Sequence, residues 1–226
     1  MQTLAIIPAK LNSRRIPGKN IKPLGGRPLV AYTVAAAEGC GRLDRIAVST
    51  DSEEVGRVAT ACSSGATEVL LRDPGLARDT TSTEDVLLDV LDRLALPDDT
   101  AVVTLLPTSP FRGAALITRA LDLYLEKGAK SVLSVERKRL KTGVLSPDQR
   151  YRPSHPYPAE MHRIEPLLLD NPCIYVTQAG ALRRDKLVVV DPCYALEING
   201  IEGLDINDPL DWLMAEAVLA AGLFKS

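Results

Sequence analysis

Ile6–Asn20 reads IIPAKLNSRRIPGKN, a buried-strand sequence running straight into a basic loop. Ala5, Ile6 and Ile7 make a short apolar run that predicts a β-strand, and Pro8 ends it. Beyond it stand Lys10, Arg14, Arg15, Lys19 and Lys22, interleaved with the small polar donors Asn12, Ser13 and Asn20. A strand that delivers backbone amides and cations to its own carboxyl end is how α/β proteins hold phosphate groups. A solvated basic loop is the alternative reading of this segment in isolation, and the remainder of the chain decides between them.

Outward from this loop, apolar runs alternate with helical periodicity. A helix is predicted from about Pro28 to Glu38, with Pro28 at its first position. Arg45–Ser49 reads as a strand ending in Thr50-Asp51, and Ser52 is placed to cap a helix from Glu53 to about Cys62. Glu68–Leu71 predicts a short strand. Thr81 or Ser82 then caps a helix whose apolar face is Val86, Leu87, Val90, Leu91 and Leu94. Ala101–Leu106 (AVVTLL) is the most strand-like run and is expected at the centre of a sheet. A helix from Ala114 to Glu126 and a strand from Ser131 to Val135 follow. Such alternation predicts an α/β fold with a mixed, mostly parallel sheet and helices on both faces.

Five prolines break the pattern between residues 137 and 171, which read as an inserted arm or a loosely ordered loop. Beyond it, Cys173–Val176 and Leu187–Val190 are predicted strands. A last helix from Pro209 to Ala221 is expected to bury Leu210, Leu213, Met214, Ala217 and Val218. One domain with an inserted arm accounts for the 226 residues.

Composition narrows the function. Lys and Arg total 27 against 29 Asp and Glu, a net charge near −2, which excludes nucleic-acid binding driven by bulk charge. The cations of the first loop are therefore a local concentration suited to a small anion. No apolar run approaches the roughly 18 residues of a membrane span, and the amino terminus enters a strand at once, so a cytoplasmic protein is expected. Cys40, Cys62, Cys173 and Cys193 lack metal-site spacing and read as buried free thiols. His155 and His162 are the only histidines and are expected to be structural or on the surface.

Ligands of open α/β sheets bind at the carboxyl ends of the strands. Five polar clusters are predicted to converge there: the basic loop, Ser49-Thr50-Asp51, Arg72 with Asp79-Thr80-Thr81-Ser82, Pro107-Thr108-Ser109-Pro110-Phe111-Arg112, and Asp205-Ile206-Asn207-Asp208. Singly, each is weak, and the second and fifth taken alone read first as helix caps.

In order and spacing, IIPAK…IPGKNIKPLGGRPLVAYTV, RIAVSTDSEE, VLLRDPGLARDTTSTEDV, PTSPFR and LDINDPLDW resemble the acylneuraminate cytidylyltransferases. The resemblance runs from about residue 3 to residue 220 and thins between 137 and 200. PGKN together with PTSP is fairly specific, STD is not, and GGRPL is shared widely among sugar nucleotidyltransferases. The QGDEP-like signature of the relatives that act on Kdo is replaced here by PTSPFR.

The resemblance implies a nucleotide-diphospho-sugar transferase-like, Rossmann-like fold over residues 1–226. It implies transfer of CMP from CTP to a sialic-type acid with release of pyrophosphate. Attack on the α-phosphorus builds charge on phosphate oxygens, so catalysis needs positioning, cations and a divalent metal. Lys19, Arg14 and Lys10 are the implied catalytic cations, with Lys10 where the family usually has Arg. Ser13, Asn20, Arg72 and Ser82 are implied to hold the nucleotide. Asp205 and Asn207 match the family's magnesium pair, with Asn supplying a neutral oxygen. Thr108 and Ser109 fall on the acceptor side, and Leu106 stands where a Gln contacts the sugar tail. Arg163 is the candidate partner for the acceptor carboxylate if the arm is shifted by a gap. A homodimer joined through the arm, with no nucleic-acid or membrane partner, completes the expectation. Three readings stay open: a nonulosonic acid of sialic or legionaminic type as acceptor, another sugar acid or phosphonate, and a non-catalytic nucleotide-binding relative.

Overall fold

The computed structural model describes residues 1–78 and 80–224; Asp79, named above beside Arg72, lies outside them. A seven-stranded sheet carries the molecule, in the order β11 (Cys193–Ile198), β7 (Ser131–Lys138), β10 (Leu167–Gln178), β6 (Ala101–Thr104), β1 (Thr3–Pro8), β4 (Arg45–Thr50) and β5 (Thr67–Leu71). Its first half is β1, β4, β5 and β6, all mutually parallel where they pair. β6 is the fourth strand of the seven, the central place its apolar run predicted. The second half is β7, β10 and β11. β10 runs antiparallel to both β6 and β7, and β11 is parallel to β7. The sheet is thus mixed and mostly parallel, as expected.

The period-2 alternation of β1 distributes its side chains to two cores. Ala5 and Ile7 face a cluster built with α1 (Leu29–Glu38), α2 (Glu53–Cys62) and α4 (Ala114–Lys127). Leu4 and Ile6 face a smaller cluster with α3 (Thr83–Arg93) and α5 (Ala179–Asp185). Helices therefore cover both faces. Ser52 caps α2 through its hydroxyl, and Ser82 with Asp85 forms a capping box on α3. Pro28 precedes α1 as its cap, closing a short ribbon of β2 (Pro23–Leu24) and β3 (Arg27–Pro28).

Three expectations need correction, and one element is new. Leu187–Val190 is not a strand; the strand is β11, which begins after Pro192, and Leu187 and Val189 stay exposed. α5 was not anticipated. The arm is shorter than residues 137–171, because β7 extends to Lys138 and β10 begins at Leu167, with a bulge between Asn171 and Tyr175. Between them stands a separate hairpin, β8 (Gly143–Leu145) paired with β9 (Tyr151–Pro153). Finally α6 (Pro209–Ala220) buries Trp212 and Ala215, whereas Leu210, Leu213 and Met214 face solvent.

A third apolar cluster lies at the carboxyl end of the sheet and organises the site. Ile16 of the basic loop, Phe111, Ile206 and Trp212 pack with Leu24, Leu29, Tyr32 and Ala215. Three segments far apart in sequence are thereby fixed against one another.

Candidate active site

The basic loop leaves β1 with its path set by hydrogen bonds. Ala9 N–H donates to Ser49 O at 2.8 Å, and Leu11 N–H donates to Asp51 Oδ1 at 2.9 Å. The Ser-Thr-Asp cluster at the end of β4 thus serves as a mooring. Gly18 adopts φ 61°, a left-handed conformation that suits glycine, and starts the 3₁₀ turn Lys19–Ile21. That turn buries Lys19 and Asn20, and Asn20 Nδ2 reaches back to Lys10 O at 2.7 Å.

Lys19 is 8 % exposed and donates from Nζ to Ile206 O at 2.7 Å. Burial lowers its ammonium pKa, opposed by Asp205 and Asp211 and reinforced by Arg15 and Lys10. Across this contact the residue 205–208 loop is tied down twice more. Ile206 N–H donates to Thr108 O at 2.8 Å, and Asp208 caps α6 in a capping box with Asp211. Arg15 Nη2 donates to Asn207 Oδ1 at 3.2 Å, and Asn207 Nδ2 donates to Asp205 Oδ2. Asp205 Oδ1 is buried and has no hydrogen-bond partner among the described residues.

One cleft gathers most of the expected residues. Lys10, Ser13, Lys19, Asn20, Arg72, Ser82, Leu106 and Thr108 line it together with Pro8 and Pro107. An adjoining pocket is lined by Lys10, Ser13, Arg14, Arg15, Lys19 and Asn207. Arg72 is buried at the end of β5, bonded weakly from Nη1 to Ser49 O at 3.5 Å, with Nε lacking a partner among the described residues. Desolvation lowers its pKa against the attraction of Asp51 and Asp89. A buried guanidinium with unused donors beside an open cleft is suited to an anion or to the acceptor edge of a base. Thr81, named with the Arg72 cluster, is also in the lining, and Leu76, Arg78, Thr83 and Val86, which sequence reasoning passed over, complete it.

Asp205 lines neither pocket, and Ser109, Arg163 and Arg112 also sit elsewhere. Ser109 is fully buried, and its Oγ has no partner among the described residues. Arg163 lies on the exposed arm, 3.7 Å from Glu160, and does not line the cleft. Arg112 faces the interior, donating to Cys173 O, to Thr33 Oγ1 at 3.0 Å and to Leu106 O at 3.4 Å. It holds the Pro107–Pro110 turn from behind. Neither histidine lines the cleft, and His162 stands on the surface beside Glu160. The four cysteines are free, Cys40 and Cys173 buried and the other two partly so.

A cation-lined cleft at the carboxyl ends of parallel strands, closed by a carboxylate loop, is the arrangement that handles nucleotide phosphates. A family profile described as Cytidylyltransferase matches residues 4–162. The chain belongs to the cytidylyltransferase family. Among its curated relatives, the CMP-N,N'-diacetyllegionaminic acid synthase of Legionella pneumophila is 34 % identical over 97 % of this chain and 97 % of that protein. The N-acylneuraminate cytidylyltransferase of Streptococcus agalactiae serotype III is 28 % identical over 94 % of this chain and 52 % of that protein. Against that relative, this cytidylyltransferase spans about half the length. A solved structure of CMP:2-keto-3-deoxy-manno-octonic acid synthetase complexed with CTP superposes with TM-score 0.70, at 16 % identity, covering 98 % of this chain and all of that one. At that identity the likeness speaks for the fold.

Of the expected magnesium pair, Asp205 alone presents an oxygen without a hydrogen-bond partner among the described residues. Asp205 Oδ1 offers one hard, unengaged oxygen, and no group of three or more acidic, His or Cys side chains stands ready for a metal among the described residues. Magnesium typically takes one or two carboxylates and completes its shell with phosphate oxygens and water. Asn207, expected as the second ligand, turns its oxygen to Arg15 and its amide nitrogen to Asp205.

Proposed function

We propose that this chain transfers CMP from CTP to a nonulosonic acid of the sialic or legionaminic type, releasing pyrophosphate. The observation that carries the reading is the Lys19–Ile206 contact, which ties the cation-lined cleft to the loop that carries Asp205. The nucleotide lies along the cleft, its base toward Arg72 and Ser82 and its phosphates toward Lys10, Ser13, Lys19 and Asn20. The acceptor's anomeric hydroxyl attacks the α-phosphorus, forming the new P–O bond as the bond to pyrophosphate breaks and the hydroxyl proton is released. Lys19, Lys10 and Arg14 compensate the charge that gathers on the phosphate oxygens. Asp205 would hold a magnesium ion that neutralises phosphate charge.

Support for this acceptor class comes from relatives named for legionaminic, N-acylneuraminic and, in Campylobacter jejuni, pseudaminic acid. An acceptor panel with CTP and magnesium, read by pyrophosphate release and mass spectrometry of the CMP-sugar, tests it. Turnover confined to acids outside the nonulosonic class would replace it with the second reading, an altered acidic acceptor. Leu106 favours that second reading, because an apolar wall does not repay the desolvation of a hydroxyl-rich tail.

We further propose a cytoplasmic homodimer joined through the arm. Val144, Leu145, Tyr151, Tyr157 and Met161 are each at least 47 % exposed on this one segment, more apolar side chain than a solvated loop of this size needs. Sedimentation of the intact chain tests it, a monomer at micromolar concentration being the contrary result.

A further inference from the structure

We propose that Arg15 is a positioning residue for this transfer, setting the carboxylate of Asp205 through the side-chain amide of Asn207. The proposal rests on the assignment of the cleft to a nucleotide. Backbone freedom around Asp205 is already spent. Ile206 is held at both its N–H and its carbonyl. The N–H groups of Asn207 and Asp208 both donate to Asp211 Oδ2, at 2.8 and 3.0 Å. What the backbone does not determine is which end of the Asn207 amide turns toward Asp205.

A primary amide has an accepting end and a donating end of nearly equal size, so its neighbours choose between them. Arg15 carries donors only, and its Nη2 lies 3.2 Å from Asn207 Oδ1. The amide nitrogen therefore faces Asp205 and donates to Oδ2. Turned over, the amide would set N–H groups against the guanidinium and an oxygen against a carboxylate oxygen. Both contacts are repulsive, so the two orientations differ by two hydrogen bonds made against two lost. Arg15 in this way fixes Oδ2 of Asp205 and leaves Oδ1 as the buried oxygen without a hydrogen-bond partner among the described residues. A neutral residue at 207 is what the relay requires. An aspartate there would attract Arg15 but repel Asp205. Arg15 is itself exposed and lines the adjoining pocket but not the main cleft, whereas Lys19 is buried and lines both.

The test is a double-mutant cycle on the intact chain. Arg15→Ala is expected to lower kcat about threefold to tenfold with the KM for CTP changed less than about twofold. Arg15→Lys, which keeps a donor, should recover most of the loss. In an Asn207→Ala background, Arg15→Ala should cost nothing further. Losses that multiply in the double variant, or a raised KM at unchanged kcat, would mean that Arg15 grips the substrate directly and would overturn the proposal. The Asn207 side-chain amide resonances, recorded by ¹⁵N NMR without substrate, decide independently of turnover. They should move on Arg15→Ala, and unmoved resonances contradict the relay. A wild-type chain inactive on every acid would defeat the functional reading alone, leaving the spectrum to judge Arg15.

Discussion

The ammonium of Lys19 and the carbonyl oxygen of Ile206 meet at 2.7 Å although 187 residues separate them in sequence. The contact closes one end of the molecule. It holds the loop after the first strand against the loop before the last helix, over an apolar cluster in which Ile16 and Ile206 share a core. The cation-lined cleft and the loop that carries Asp205 thereby come to the same end of the molecule. Lys19 spends one donor on a neutral carbonyl and keeps its charge for a ligand.

Lys19→Met should reduce kcat/KM for CTP about a hundredfold or more, the cost typical of losing a preorganised charge at a transferring phosphoryl group. Pyrophosphate release under saturating acceptor measures it. A loss under about threefold would remove Lys19 from the phosphate site.

Because burial lowers the Lys19 pKa below its ordinary value of 10.5, a pH dependence follows. The unfolded chain binds the proton more tightly than the folded one, so stability rises with pH as Lys19 sheds its charge between the folded and unfolded values. Nucleotide affinity behaves oppositely, since the charged form is the one that binds phosphate. Affinity for CTP should begin to fall at a pH below 10.5, and Lys19→Arg should shift that fall upward. Calorimetric titration of CTP across alkaline pH provides the check, an unshifted limb in Lys19→Arg being the adverse outcome.

Arg112→Met should destabilise the fold by about 3 kcal/mol, because several buried acceptors, among them Cys173 O and Leu106 O, lose their donor together. Urea unfolding reads this directly. A fully buried guanidinium that proved worth less than about 1 kcal/mol would show that water replaces it.

Leu106→Gln tests the acceptor wall. Leu106 lines the cleft beside Pro107 and Thr108, so an amide there should favour acceptors with a hydroxylated tail over those with a methyl-terminated one. The ratio of kcat/KM for the two should move by about tenfold, the scale of one hydrogen bond gained in a pocket. An unchanged ratio would place the acceptor tail elsewhere.

Much of the fold was legible because its signals are local. The apolar alternation of β1, the capping hydroxyls of Ser52 and Ser82 and the glycine of the Lys19 turn each act within a few residues. Elements failed where local pattern is ambiguous. α6 carries apolar residues all round, so periodicity alone does not distinguish the Trp212–Ala215 face from the exposed Leu210–Met214 face. Leu187–Val190 is an apolar run as strand-like as β11, yet only Val190 among its last three valines is well buried. In the site, Arg112 read as one more cation at the strand ends. Only the tertiary arrangement shows that the acceptors it needs lie inside. The Arg15–Asn207 contact was likewise beyond the sequence, since nothing in either segment points to the other.

The account stands on one triphosphate lying between the loop of Lys19 and the loop of Asp205. A crystal structure of the chain with CTP and magnesium measures this directly. It should show Lys19 Nζ bonded to a phosphate oxygen, with Asp205 on the same triphosphate directly or through the metal, and the base beside Arg72. A nucleotide bound elsewhere, or bound in the cleft with Lys19 and Asp205 both untouched, would contradict it.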